Sequence, residues 1–79
     1  MPTETLTARE IGAIEEFRLQ RRWSYRELAE DFTTRTGIDM PEITLYKALA
    51  EPRRRLRATT IHPIRRYLSA IAQVEAEQR

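Results

Sequence analysis

An all-α domain of four or five compactly packed helices is what this sequence predicts, and three observations predict it. Apolar residues recur at helical rather than alternating spacing along most of the chain. One phrase of helix-start grammar is repeated three times. Only two glycines occur in 79 residues, with few β-branched runs and many Ala, Leu, Glu and Arg. A chain this short holds one domain and buries only about 60% of its unfolded surface, so its helices must pack efficiently or find a partner. Residues 1–6 read as a flexible leader, 7–74 as the domain and 75–79 as a frayed tail.

The repeated phrase marks three helix starts. In Leu6-Thr7-x-x-Glu10-Ile11, Trp23-Ser24-x-x-Glu27-Leu28 and Ile38-Asp39-x-x-Glu42-Ile43, a polar cap precedes Glu at the third helical position. Apolar residues flank each pair in the places of a hydrophobic staple. The first helix is expected from Ala8 to Arg21, with Ile11, Ile14, Phe17 and the stem of Arg18 inward. The second is expected from Tyr25 to Arg35, with Leu28, Ala29 and Phe32 inward and Gly37 closing it in the left-handed conformation. The third is expected from Met40 to Glu51, stopped by Pro52, with Ile43, Tyr46, Leu49 and Ala50 inward. The fourth is expected from Thr60, where Pro63 falls in the first turn and is tolerated. Its stripe is Ile61, Ile64, Leu68 and Ile71, and it frays from Glu75.

Composition excludes several classes. With no cysteine there is no disulfide, thiolate metal site or thiol catalysis. No apolar run reaches the roughly 20 residues needed to cross a bilayer and no signal sequence is apparent, so a cytoplasmic protein is expected. His62 is the only histidine, and a first-turn or phosphate-contacting role is expected for it rather than metal ligation. Glu15-Glu16 and Glu30-Asp31 are adjacent acids on helices, which point in different directions and make poor acid–base pairs. No nucleophile, base and oxyanion set can be assembled, and no glycine loop cradles phosphate. Neither enzyme activity nor a cofactor is expected.

Charge is unevenly placed. Residues 1–52 carry seven basic and ten acidic side chains, a net of −3. Residues 53–67 carry six arginines and no acid. Clustered basic charge directly behind a short helix is an electrostatic footprint for phosphate, although a solvated charge run looks the same in sequence.

The motif Ile14-x-x-Phe17-Arg18-x-x-Arg21-x-Trp23-Ser24-Tyr25-Arg26-Glu27-Leu28-Ala29 resembles the first half of the lambda-repressor-like helix-turn-helix domains of phage Cro and repressor proteins. Gly37-Ile38, Ile43 and Tyr46 resemble the buried positions of that family's turn and recognition helix, and Thr59-Thr60 the segment that follows. The resemblance spans residues 8–72 and implies a small repressor-like transcriptional regulator that binds double-stranded DNA.

Two departures stand out. Thr33-Thr34-Arg35-Thr36 adds about one helical turn, either as an extension of the second helix or as a looser loop. Where the family often pairs an arginine of the first helix with a glutamate of the recognition helix, Arg18 is present but Lys47 stands opposite. Arg18 is then expected to reach Glu27 or solvent.

Helix 40–51 is expected in the major groove, which admits one helix. Met40, Pro41, Thr44, Leu45, Lys47 and Ala48 form the expected base-contacting face. Arg22, Ser24, Tyr25, Arg26, Arg53, Arg54, Arg55 and Arg57 are expected on phosphates, which anchor without reading sequence. Trp23 is expected as a staple, Tyr46 as a core aromatic, and Tyr25 as either core or contact. A wide apolar arc on the fourth helix makes Tyr67, Ala70, Ile71 and Val74 candidate homodimer contacts. The competing reading is a protein-interaction module, an antitoxin or adaptor, using the same helical face. Structured RNA is a third reading, disfavoured by the lack of exposed aromatic stacking pairs.

Overall fold

The computed structural model describes residues 3–51 and 54–77. In chain order these form β1 (Thr3–Glu4), α1 (Ala8–Gln20), α2 (Tyr25–Thr36), α3 (Glu42–Ala50), β2 (Leu56–Arg57) and α4 (Ala58–Glu77). The chain is mainly helical, with four helices and one small antiparallel sheet among the described residues. Its radius of gyration, 11.9 Å, is close to the roughly 11.6 Å of a compact chain of this length.

Two of the three capping boxes form. Thr7 Oγ1 accepts from the Glu10 amide while Glu10 Oε1 accepts from the Thr7 amide. Ser24 and Glu27 make the same reciprocal pair at the start of α2. The third does not form. Asp39 is exposed, Pro41 precedes the helix, and Glu42 is its first residue rather than its third. Proline fixes φ near the helical value and lacks an amide, so it can stand at a helix start without a side-chain cap.

α2 resolves the two readings of residues 33–36, because it runs unbroken to Thr36. Thr33, Thr34 and Thr36 each return their hydroxyl to the carbonyl four residues back. Gly37 then ends the helix at φ 72°, donating its amide to the Thr33 carbonyl. No side chain crowds that position. Gly37→Ala is therefore expected to cost about 1–2 kcal/mol through left-handed backbone strain alone, read as a lower urea midpoint with an unchanged slope.

Residues 3–6, expected as part of a flexible leader, belong to the fold. Thr3 pairs with Arg57 and Glu4 with Leu56, and Leu6 is buried in the core. Arg65 on α4 holds this corner, with Nη1 on Glu4 at 2.8 Å and Nε on Glu10 at 3.0 Å. Burial opposes the charge on Glu10, but the Thr7 amide and Arg65 outweigh it and hold its pKa below the ordinary 4.5. A carboxylate with a lowered folded pKa stabilises the fold above its unfolded value. That contribution is lost as pH falls from 4.5 through the lower folded value. Acid titration is expected to lower the melting temperature in that window, and less so in Glu10→Gln.

α4 begins at Ala58, two residues before the expected Thr60 cap, because β2 hands the chain straight into it. Pro63 therefore lies inside the helix and is buried, leaving the Thr59 carbonyl without its helical donor. The core joins Ile14 and Phe17 of α1, Leu28 and Phe32 of α2, Leu45 and Leu49 of α3, and Ile61, Ile64, Tyr67 and Ile71 of α4. Tyr67 and Ile71, expected as dimer contacts, are core residues, while Ala70 and Val74 are half-buried. Tyr67 is spent on Phe17 and Phe32, whose rings lie 6.2 and 4.9 Å from its own. Residues 75–77 continue α4 rather than fraying.

Candidate nucleic-acid interface

α3 decides which side chains the site can offer, and its buried face differs from the expected one. Leu45, Ala48 and Leu49 point into the core, with Met40 buried just ahead of them. Ile43 and Tyr46, expected inside, are 59% and 45% exposed, and Ala50 is exposed as well. The nine residues Glu42–Ala50 contain two apolar stripes at helical spacing, 43/46/50 and 45/48/49. Periodicity cannot choose between them; packing against α2 chooses the second. Met40, Leu45 and Ala48 are thereby removed from any contact surface. Of the expected base-contacting set, Pro41 and Lys47 are exposed and Thr44 is half-buried.

Around α3 the outward side chains fall in a definite order at 3.6 residues per turn. Ile43 and Ala50 occupy the middle, Tyr46 one flank and Lys47 the other. On the Lys47 flank lies a cleft of about 340 Å³ bounded by Ile43, Thr44, Lys47, Arg54, Arg55 and Arg57, with Leu56 and Thr60. Three of the expected phosphate-contacting arginines thus meet α3, and Arg53 lies outside the described residues. Arg54 is partly engaged, its Nη1 2.7 Å from Glu51. Among the described residues Arg55 and Arg57 form no ion pair and are exposed. β2 sets their spacing, and burial of Leu56 between them turns both outward.

The Tyr46 flank is bounded by the start of α2. The Tyr25 and Tyr46 rings meet edge to face, 5.0 Å between centroids and 81° between planes. Tyr25 is half-buried, and its hydroxyl donates to Glu15 Oε1 at 3.0 Å, so it is not free for phosphate. Ser24 Oγ accepts from the Glu27 amide and donates to the Glu27 carboxylate, and so is likewise occupied. The cap leaves the Tyr25 and Arg26 amides, which have no partner within the helix. Arg26 is exposed, 3.8 Å from Glu30, and edges a shallow groove with Pro41 and Glu42 at the head of α3. Arg22 is exposed and left-handed at φ 57°.

No family model, curated protein or solved structure matches this chain. Arg18 finds neither Glu27 nor solvent but Glu15, at 2.9 Å, and its Nη1 donates to the Trp23 carbonyl at 2.8 Å. The Glu15 carboxylate holds the Arg18 guanidinium above its ordinary pKa despite burial. Trp23 packs edge-on against Phe17 of α1 at 5.8 Å.

His62 is exposed in α4 near Glu4, away from the arginine cleft. Among the described residues no three His, Cys, Asp or Glu side chains gather to hold a metal ion, and no helix is long and apolar enough to cross a membrane. Ile43 and Tyr46 are the contact candidates that sequence reasoning missed. Their signal was present as the second stripe of α3, but the burial pattern alone identifies it.

Proposed function

We propose that this protein binds double-stranded DNA as a small repressor-like regulator, laying the outer ridge of α3 in the major groove. The observation that carries the reading is the convergence of Lys47 with Arg54, Arg55 and Arg57 beside an exposed helix ridge. Arg26 edges the groove at the head of α3. A helix with its side chains is about 10–12 Å across and the major groove about 12 Å wide, so a ridge inserted there has a phosphate backbone on each side. The cations of the Lys47 flank suit one backbone, and the free first-turn amides of α2 add positive potential on the Tyr46 side.

A protein-interaction role is favoured by one specific observation, the exposure of Ile43 and Tyr46 side by side. Binding to a random-sequence duplex across a salt series separates the two. DNA binding predicts an affinity falling with log salt at a slope of about −0.9 per neutralised phosphate. An affinity for duplex too weak to measure at low salt sinks the proposal in favour of a protein partner.

A further inference from the structure

The ridge of α3 is unusual for a groove-facing surface because its centre has almost nothing to hydrogen-bond with. Ile43 and Ala50 are exposed there, and Tyr46 beside them offers a ring face and one hydroxyl. Pressing polar base edges against Ile43 would strip water from donors and acceptors without replacing it, which is costly. The one apolar group that the major groove displays is the C5 methyl of thymine.

Tyr46 is also held in place. Tyr25 meets it at 5.0 Å, and the Arg18 guanidinium lies 4.3 Å from the Tyr25 ring centre. The Tyr25 hydroxyl donates to Glu15, and Glu15 in turn pairs with Arg18. Burial and the Glu15 carboxylate raise the Tyr25 pKa, keeping the phenol a neutral donor. A connected set of contacts therefore runs from α1 through the head of α2 to the outer face of α3.

From this geometry we infer that the ridge reads thymine methyl groups, with Ile43 and Tyr46 as the specificity-determining residues and Tyr25 as the residue that positions Tyr46. The inference rests on the duplex-binding reading and adds to it a class of target: duplexes presenting thymine at the positions under the ridge. The flanking cations, Lys47 with Arg55 and Arg57 on one side, supply grip without choosing sequence.

The test uses the full chain. Short duplexes selected from a random pool are resynthesised with deoxyuridine in place of thymidine, which deletes the methyl and leaves every hydrogen-bonding edge unchanged. Affinity is expected to fall about fourfold for each methyl contacted. Ile43→Ala and Tyr46→Ala should shrink that thymine-to-uracil ratio while keeping salt-dependent binding. Both side chains are largely exposed, so melting curves should confirm an intact fold. Tyr25→Leu should also shrink the ratio, whereas Tyr25→Phe, which keeps the ring, should retain most of it.

Equal affinity for the two duplexes, or selected sequences lacking thymine, overturns the methyl-reading inference and leaves duplex binding standing. A ratio undiminished in both Ile43→Ala and Tyr46→Ala overturns the residue assignment. Absence of salt-dependent duplex binding in the unaltered protein removes the underlying function instead.

Discussion

Replacing Lys47, Arg55 and Arg57 together by alanine is expected to flatten the salt dependence of duplex binding by about 2.7 units of slope, roughly 0.9 for each phosphate left without its cation. The three side chains bound one cleft beside α3 and are exposed, so the fold does not depend on them. Arg57 lies in the strand pair, but the pairing is made by backbone and survives removal of the side chain. Arg54 is left in place because its ion pair with Glu51 complicates the reading. All sequences should weaken alike, because phosphate contacts carry no base information. The measurement is fluorescence anisotropy on a random duplex at several salt concentrations. An unchanged slope in the triple variant means the cleft does not face the backbone, and the docking geometry is then wrong.

Tyr67→Ala should be the most damaging single change in the core, at about 3–5 kcal/mol. A domain of this size is stable by only about 4–12 kcal/mol, so much of the population would unfold near body temperature. Tyr67 is fully buried between Phe17 and Phe32, and its hydroxyl donates to Asp31 Oδ2 at 2.7 Å. Tyr67→Phe keeps the ring and leaves Asp31 paired with Arg35 at 2.7 Å, so a cost of about 1 kcal/mol is expected. Urea denaturation of the two variants decides the matter. Equal destabilisation would mean that the hydroxyl, not the ring, carries the stability.

The same tyrosine links stability to alkaline pH. Burial first, then the Asp31 carboxylate, push its folded pKa well above the ordinary 10.0. An acid whose folded pKa is raised stabilises the fold below its unfolded value and loses that contribution as pH rises through the folded one. Stability should begin to fall above pH 10.0, and the decline should be shallower in Tyr67→Phe.

These expectations draw unequally on what was legible in the sequence. The starts of α1 and α2 were readable because each carries a reciprocal side-chain cap, and such caps are local. Asp39-x-x-Glu42 spells the same pattern but forms no cap, since Pro41 brings the helix start two residues later. The arginine cluster was visible as charge, and its place beside Lys47 follows from the strand pair that fixes the loop.

What periodicity could not reveal was the rotation of α3. A nine-residue helix with apolar residues on both sides has two equally good inward faces, and long-range packing selects one. The β1–β2 pair escaped for another reason. Two-residue strands are too short to show alternation, and their partners lie far apart in sequence. Contrary to the expected lack of exposed aromatic pairs, Tyr46 and Tyr25 form one at the surface. Its edge-to-face geometry fills one face of Tyr46's surroundings with protein and leaves no open two-sided slot for a base.

The strand pair has a consequence for biosynthesis. Glu4 is joined to Arg65 across 61 positions, so the corner that shapes the arginine cleft closes only after Arg65 has left the ribosome. Helices α1 and α2 need no such wait, since their caps and turns are local and form rapidly. A nascent chain would therefore own its helical scaffold before it owned its grip. Cationic side chains would acquire their fixed spacing later than the helices that carry α3's support.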